Sequence, residues 1–283
     1  MPCIDDKHIL QIDNLSVSFT QYERGLRQID LKVIHHLNVS VHEGELVAVV
    51  GASGSGKSLL AHAILGILPP NCNAAGNISF DGELLNAARM KELRGKKIVL
   101  VPQSVNYLDP LQKVGPQVRK GRKDKNIRKK QEELFAFYDL PEHTGGLYPF
   151  ELSGGMARRV LLATAMMENP RLIIADEPTP GLHWEAAKNA MRHFREFADR
   201  GNGVLLITHD IDLALEVSDR IAVFYAGTTV EEAPVADFQS MDTLRHPYTK
   251  ALWRALPQNG FQAFPGNQPY AKDMPRGCPF GPR

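Results

Sequence analysis

The chain has 283 residues, and 43% of them are hydrophobic, which is enough for one large domain or two small ones with a real core. Its 33 basic residues nearly balance its 32 acidic ones, and this balance argues against a dedicated nucleic-acid-binding protein. The three cysteines form no C-x-x-C pair, so we expect a reduced, cytosolic compartment and no disulfide scaffold. We expect no signal peptide at the polar, acidic N-terminus, and no run approaches the ~18–20 apolar residues of a membrane helix.

Several β-type segments come before a glycine-rich loop. Residues 9–12 and 15–19 have strand character, and Asp13-Asn14 between them predicts a turn that joins two strands. A third segment, 34–41, leads into the loop. Phe19 lies about thirty residues before the loop, where its ring could stack on an adenine or belong to the core, and the sequence leaves both interpretations open.

The glycine-rich loop at 51–58, Gly-Ala-Ser-Gly-Ser-Gly-Lys-Ser, fits the phosphate-binding pattern G-x-x-x-x-G-K-[ST]. Its glycines let backbone N–H groups point inward, Lys57 places an ammonium near the β- and γ-phosphates, and Ser58 offers a hydroxyl to Mg²⁺. A buried strand at 45–50 and a helix at 59–65 flank the loop, and we expect Pro69-Pro70 to end the helix. The predicted nucleotide contacts are Gly51, Ser53, Gly54, Ser55, Gly56, Lys57, Ser58 and Leu59.

Two further strands follow this helix. One is predicted at 76–82, closed by an Asp-Gly turn, and the other at 98–101. Gln103 follows the second strand, and its amide could reach a bound Mg²⁺ or an attacking water, although most glutamines are surface groups. From 104 to 115 the chain is polar and irregular.

Two carboxylates follow the apolar strand at 172–175. Ligands bind at the carboxyl ends of the strands in an open α/β sheet. Asp176 therefore suits the Mg²⁺ shell, and Glu177 suits the orientation of an attacking water. The strand at 204–207 has the same arrangement and leads to His209, which could contact a γ-phosphate.

Ser153, Gly154 and Gly155 precede a helix that we expect at 157–168. Ser153 suits the N-cap, and the two glycines leave backbone N–H groups open, which makes this a second anion-binding helix start. Its composition does not indicate whose phosphate it receives. A plain capped helix is the alternative interpretation.

Eight of the twelve residues at 119–130 are basic. We interpret this run as a solvated, mobile loop and helix start, and contact with anionic lipid headgroups or an acidic partner is the alternative. An amphipathic helix is predicted at 131–140, with Leu134, Phe137 and Tyr138 on its apolar face.

The order of these motifs resembles that of an ABC-type ATPase over essentially the full chain. The resemblance implies that residues 51–58 are Walker A and that Gln103 is the Q-loop glutamine. It also implies that Asp176 and Glu177 are the Walker B aspartate and the catalytic base, with His209 as the switch histidine.

The same resemblance implies a head-to-tail dimer of ATPase subunits. Residues 153–155 would be the signature loop and would close on a nucleotide held by the P-loop of a second ATPase subunit, a paralogue of this chain. Phe19 would stack on the adenine. The residues implied to hold Mg²⁺ are Ser58, Gln103 and Asp176.

Finer matches are similar to the oligopeptide, dipeptide and nickel importer branch of the family. They include Leu-Ser-Gly-Gly-Met at 152–156 and His-Pro-Tyr-Thr-Lys-Ala-Leu at 246–252, followed by a proline-rich tail with Cys278. Tails of this branch often carry several cysteines, which in some members hold an iron–sulfur cluster. With Cys278 alone in the tail, we expect no such cluster in this chain.

Two positions depart from the family pattern. His183 stands where an aspartate is usual, in a segment that in the family lies across the dimer interface. Two interpretations are open: hydrolysis is altered at one of the two sites, or the partner is a different ATPase subunit. Arg158 replaces a glutamine that is common after the signature. We still expect hydrolysis, because Lys57, Asp176 and Glu177 are unchanged.

The expected fold is α/β, with a P-loop NTPase (RecA-like) core, a β-rich N-terminal part, an inserted helical subdomain and a C-terminal extension. Residues 1–103 and 171–232 would form the ATP-binding core, and 104–170 the helical subdomain with the signature motif. Residues 233–283 would form an extension of the peptide and nickel importer type.

The expected function is ATP hydrolysis, with ATP and Mg²⁺ as ligands, that drives solute uptake through two separate transmembrane permeases. Peptides, nickel and metal chelates are all open as solutes, an extracytoplasmic solute-binding protein is an indirect partner, and nucleic acid is not expected. The chain would lie peripherally on the cytoplasmic face of the cell membrane. The alternatives are a nucleic-acid or translation ABC ATPase, an exporter cassette, and a regulatory binder that does not hydrolyse ATP.

Overall fold

The computed structural model describes residues 7–22, 25, 27–180 and 184–283, apart from the side chain of residue 186. In chain order its strands are β1 (His8–Tyr22), β2 (Gln28–His42), β3 (Leu46–Gly51), β4 (Cys72–Phe80), β5 (Glu83–Leu84), β6 (Ile98–Val101), β7 (Leu172–Asp176), β8 (Gly203–Thr208), β9 (Arg220–Tyr225) and β10 (Thr228–Pro234). Its helices are α1 (Lys57–Leu65), α2 (Ala87–Leu93), α3 (Val114–Val118), α4 (Lys125–Phe137), α5 (Gly154–Met166), α6 (Trp184–Asp199), α7 (Ile211–Val217) and α8 (Pro247–Arg254). Within these ranges, no helix has both the length and the apolar character needed to cross a bilayer.

The strands form two sheets. One is antiparallel and has the order β2-β1-β4-β5. The other has the order β10-β9-β3-β8-β7-β6, in which the strands from β9 to β6 are parallel and β10 is an antiparallel edge strand. The predicted α/β class with a β-rich N-terminal part is therefore confirmed.

The parallel sheet carries apolar side chains on both faces. Every residue of β3, β7 and β8 is buried, which explains why these strands are nearly continuous runs of Val, Ile, Leu and Ala. Along β3, Val47 and Val49 pack with the antiparallel sheet and α1, whereas Ala48 and Val50 pack with α5 and α6. The core therefore lies in two layers, one on each side of the parallel sheet.

The predicted turn between two N-terminal strands is wrong, because β1 continues through Asp13 and Asn14. Its pairing with β2 and β4 shifts register at this point, and Asn14 takes a left-handed backbone with φ 55°. The backbone N–H of Asn14 donates to Oδ1 of Asn38 at 2.9 Å. Turn-type residues thus form a bulge inside a strand that is paired on both sides.

The prediction that Pro69-Pro70 ends α1 is also wrong. The helix ends at Leu65, and Gly66 follows as its C-cap with φ 63°, donating its N–H to carbonyls of the last turn. A glycine in the left-handed region ends a helix without steric cost, so the helix is complete before Pro69-Pro70 is reached.

The basic run at 119–130 is only partly the mobile, solvated segment that we predicted. Lys120 and Arg122 both pair with Glu168, at 3.1 and 2.6 Å. Lys130 donates to the carbonyl that follows the last residue of α5, at 2.9 Å. These contacts attach the run to the C-terminal end of α5, because the basic side chains neutralise the carboxylate and the open carbonyls there.

The helix that follows the basic run buries a different set of side chains from the one predicted. α4 begins at Lys125 and buries Gln131 and Phe135, whereas Phe137 is 45% exposed. Gln131 is accommodated inside because its side-chain oxygen accepts a hydrogen bond from Arg119. Tyr138 is buried, as expected, at the C-cap of the helix.

The C-terminal tail, residues 255–283, is irregular apart from short 3₁₀ turns, as predicted, but it is anchored to the core. Phe280 is buried against Tyr225 and Tyr248, with its ring centroid 5.5 Å from each of theirs. Arg283 donates to the phenol oxygen of Tyr225 at 3.2 Å and to carbonyls earlier in the tail. The tail is therefore part of the folded body.

A close backbone contact between Gly227 and β2 joins the two sheets, and it can be tested by substitution. Gly227, with φ 81°, lies so close to β2 that an added Cβ would be 2.0 Å from the carbonyl oxygen of Val33. Gly82 has a similar φ of 79° but open space around it. We expect Gly82→Ala to lower the free energy of unfolding by about 1–2 kcal/mol, the cost of a left-handed backbone, and Gly227→Ala to lower it by clearly more. Urea denaturation measures both losses, and equal losses would contradict the steric explanation.

Candidate active site

The glycine-rich loop joins β3 to α1. An added Cβ at Gly51 would lie 2.2 Å from the carbonyl oxygen of Phe224, so a side chain does not fit where the strand ends. Gly54 and Gly56 have φ values of 78° and 98°, which favour glycine. Gly56 is also the N-cap of α1, and no side chain caps this helix. The first N–H groups of α1 are therefore directed at the loop, which suits an anion.

Lys57 is buried at the centre of this loop, with 5% of its surface exposed. Its Nζ donates to the carbonyl oxygens of Gly51 at 2.8 Å and Ala52 at 2.9 Å. Burial lowers the pKa of Lys57, and the negative charges of Glu177 and Asp176 oppose that shift. A phosphate oxygen would give this ammonium an anionic partner, which stabilises it more than neutral carbonyls do.

A second buried polar group in the loop also fits a phosphate. The hydroxyl of Ser55 is buried and lacks a hydrogen-bond partner among the described residues. A buried hydroxyl without a partner costs free energy, so an oxygen-rich ligand in the loop would stabilise it. The loop residues Ser53, Ser58 and Leu59 are at least partly accessible to a ligand.

Ser58 and Asp176 form a pair of oxygen donors at the start of α1. The Ser58 hydroxyl donates to Oδ1 of Asp176 at 3.2 Å, and Asp176 is 6% exposed. Burial raises the pKa of Asp176, the hydrogen bond from Ser58 opposes the shift, and the charge of Glu177 adds to it. A hydroxyl and a buried carboxylate that converge on one point fit the oxygen ligands that Mg²⁺ prefers.

Glu177 is the point at which three strand ends meet. Gln103, after β6, donates from Nε2 to one carboxylate oxygen of Glu177 at 2.9 Å. His209, after β8, lies with Nδ1 3.1 Å from the other oxygen. Glu177 itself follows β7, which lies between β6 and β8 in the sheet. The three residues that the sequence placed at strand ends are therefore in direct contact, in an arrangement that can orient a water molecule.

Residues 153–155 start α5 at the surface. The hydroxyl of Ser153 accepts a hydrogen bond from the backbone N–H of Met156 at 3.2 Å, so the predicted N-cap is confirmed. Ser153 and Gly154 are exposed. In the parts of the chain that the structure covers, none of the hydrogen bonds of residues 153–155 reaches the P-loop.

Phe19 lies on β1 and is half-buried. It shares a strand face with Val17, which is opposite Ile34, and Ile34 lies 3.4 Å from the position of a Cβ at Gly56. The face that carries Phe19 is thus the one that packs against the P-loop. Tyr22, at the end of the same strand, is 66% exposed, but it lies three residues from Phe19 and therefore on the opposite face of the strand.

Two further contacts at this site were not predicted. Arg158, on α5, donates from Nη1 to the backbone carbonyl of Glu177 at 3.3 Å. Gln268, in the C-terminal tail, donates from Nε2 to the carbonyl of Ser53 at 3.2 Å. Arg158 was visible in the sequence only as a departure from a family pattern, and nothing in the sequence around Gln268 indicated its neighbour. His183 lies outside the described residues.

The helix α8, which precedes the tail, also contacts this loop. Burial raises the pKa of the Tyr248 phenol, and a hydrogen bond from the backbone of Ala52 opposes that shift. Tyr248 belongs to α8, in the segment at 246–252. The C-terminal region therefore touches two consecutive residues of the P-loop, Ala52 and Ser53.

Comparison with protein families identifies two regions. A family described as "ABC transporter" matches residues 34–180, which include the P-loop, the signature loop and Glu177. A family described as "Oligopeptide/dipeptide transporter, C-terminal region" matches residues 230–283, which include the tail. Together the two matches account for most of the chain.

Individual proteins agree with these matches. The oligopeptide transport ATP-binding protein OppD of Salmonella typhimurium is 32% identical, over 97% of this chain and 85% of its own length. The dipeptide transport ATP-binding protein DppD of Escherichia coli is 35% identical, over 97% of this chain and 88% of its own length. A dimeric post-hydrolysis structure of the ATP-binding cassette MJ0796 with ADP and Pi is 28% identical, with a TM-score of 0.68 over 80% of this chain and 98% of that one. The chain therefore belongs to the ABC transporter family, as an ATP-binding, ATP-hydrolysing subunit with a P-loop NTPase fold.

Proposed function

We propose that this ATPase drives the uptake of peptides through separate transmembrane permeases. The observation that carries the proposal is the meeting of Gln103, Glu177 and His209 beside the P-loop, together with a tail of the oligopeptide/dipeptide type at 230–283. Nickel and metal chelates are less favoured as solutes, because the similar proteins described above are named for peptides.

In this proposal the P-loop holds the phosphates of ATP. Its backbone N–H groups and the start of α1 surround them, and Lys57 exchanges its loop carbonyls for phosphate oxygens. Ser58 and Asp176 would hold Mg²⁺, and Gln103, whose Nε2 donates to Glu177, could add its side-chain oxygen as a further ligand. When bound, Mg²⁺ supplies positive charge that neutralises the phosphates. Phe19 stacks on the adenine.

Glu177 is the residue proposed to orient the attacking water. Its carboxylate is held by Gln103 on one oxygen and by His209 on the other, so it is fixed before substrate binds. His209 is 56% exposed, which leaves it accessible to a γ-phosphate. Lys57 and the helix start stabilise the negative charge that develops during phosphoryl transfer.

The exposed signature loop suggests a composite site. Ser153, Gly154 and Gly155 make no hydrogen bond to their own P-loop in the described structure, so we propose that they close on ATP held by a second ATPase subunit in a head-to-tail dimer. The chain would then work on the cytoplasmic face of the membrane. The helices α3 to α5 between β6 and β7 would form the helical subdomain at 104–170, and 233–283 the C-terminal extension.

A groove beside Gln103 is the proposed contact with the permeases. It has a volume of about 340 Å³ and lies between the end of α3, α5 and the segment at 94–102. Tyr107, which lines it, is 62% exposed, and Leu111, four residues further along the chain, is 89% exposed. Exposed apolar side chains beside a groove are typical of a surface that binds a helix of a partner.

The first test removes the charge of Lys57. We expect Lys57→Ala to weaken ATP binding by about 10–100-fold, because a charge-assisted hydrogen bond is lost. ATP turnover and ATP-dependent uptake of a labelled peptide should fall with it in the assembled transporter. Lys129→Ala, at a side chain that is 78% exposed, is the matched control. Unchanged turnover in Lys57→Ala would contradict the proposed phosphate site. If Lys57→Ala abolished nickel uptake but left peptide uptake unchanged, peptides would not be the solute.

The second test concerns Glu177. We expect Glu177→Gln to reduce kcat for ATP by about 10²–10³-fold while ATP still binds, because the amide cannot accept a proton from water. The variant should accumulate as a closed, ATP-bound dimer, measured by size-exclusion chromatography with ATP. Glu133→Gln, at a carboxylate that is 64% exposed, should behave like the unchanged protein. Normal turnover in Glu177→Gln would show that another group orients the water.

The third test concerns the contact between the tail and the P-loop. We expect Gln268→Ala to weaken ATP binding by about 3–10-fold, because the carbonyl of Ser53 loses a hydrogen bond that holds the loop. Equilibrium binding of a fluorescent ATP analogue measures the effect. Gln262→Ala, at an exposed position of the same tail, is the control. Equal affinities for the two variants would mean that the tail does not support the loop.

A further inference from the structure

The helix α5 contacts the proposed hydrolytic centre of its own chain. Ser153 caps the N-terminal end of α5, and Arg158 lies just over one turn further along. From there Nη1 of Arg158 donates to the backbone carbonyl oxygen of Glu177 at 3.3 Å. One helix thus carries the signature loop at its start and a contact to Glu177 shortly after it.

The backbone of Glu177 needs such support. Its φ is 43°, in the left-handed region that residues other than glycine rarely adopt. This conformation costs free energy and persists only where neighbouring groups hold it. The N–H of Glu177 donates to the carbonyl of Ile207 at 2.8 Å, and the carbonyl of Glu177 accepts from Arg158. The backbone is therefore held on both its donor and its acceptor side.

The charge of Arg158 also matches this position. The guanidinium is partly buried, and burial lowers the pKa of Arg158, whereas the negative charge of Glu177 opposes that shift. A cationic donor binds a carbonyl oxygen more strongly than a neutral donor does. A glutamine, the residue that the family pattern favours here, could donate a hydrogen bond but would bring no charge and has a shorter side chain.

We propose that Arg158 is a positioning residue, which holds the backbone of Glu177 from α5 and so connects the signature helix to the carboxylate that orients water. This inference rests on the proposed role of Glu177. Arg158 does not touch the nucleotide in this scheme. Its effect is on the rate of hydrolysis and not on the affinity for ATP.

The test is a series of three substitutions in the assembled transporter. We expect Arg158→Ala to lower kcat for ATP about tenfold and to leave the Kd for ATP unchanged. Arg158→Lys, which keeps a cationic donor, should retain kcat within about threefold, whereas Arg158→Gln should lose nearly as much as the alanine variant. The control is Arg192→Gln, at an arginine of α6 that is 65% exposed, which should leave kcat unchanged. Thermal unfolding of each variant establishes that comparable amounts are folded.

The outcomes separate this inference from the proposed function. If Glu177→Gln is inactive but Arg158→Ala keeps the kcat of the unchanged protein, the role of Arg158 is overturned and the role of Glu177 stands. If Glu177→Gln turns over ATP normally, the proposed function fails first. A lysine variant that loses as much activity as the alanine variant, or a weakened Kd in step with kcat, would also overturn the inference. Should Arg158→Ala not assemble, the comparison of Arg158→Lys with Arg158→Gln decides the matter.

Discussion

The parallel alignment of neighbouring strands is the constraint on which this site depends. β3, β8, β7 and β6 lie side by side with the same direction, so the P-loop, His209, Glu177 and Gln103 all leave the sheet at one edge. Adjacent strands are only about 5 Å apart, which is why side chains from distant parts of the sequence reach hydrogen-bonding distance. The sheet keeps this alignment because apolar side chains are buried on both of its faces.

Burial on this edge also determines the electrostatics of the site. It lowers the pKa of Lys57 and raises the pKa of Asp176, and in each case burial is the largest cause. Both shifts mean that the charged forms of these groups are poorly solvated where they stand. In the proposed site, a metal–nucleotide complex would bring the opposite charge to each of them, phosphate to the ammonium and Mg²⁺ to the carboxylate. The cost of burying these charges in the fold thus favours binding of the ligand.

Two parts of the chain outside the parallel sheet contact the site. α5 reaches it through Arg158, which supports the carbonyl of Glu177. The C-terminal region reaches it through Gln268 of the tail and Tyr248 of α8, which contact the P-loop at Ser53 and Ala52. Each contact gives an element outside the parallel sheet a direct connection to the P-loop or to Glu177.

The sequence by itself determined the features that depend on a few consecutive residues: the glycine-rich loop with Lys57, the cap at Ser153 and the buried strands that end in polar side chains. These follow from local backbone preferences and from periodicity, which the neighbouring residues express directly. Only the tertiary structure decided that Asp13-Asn14 forms a bulge, that α4 turns Phe137 outward, and that Arg158 and the tail reach the site. Those outcomes depend on which elements pack together. No local sequence pattern indicates that β1 pairs with a strand on both sides, or that the tail packs onto the core through Phe280.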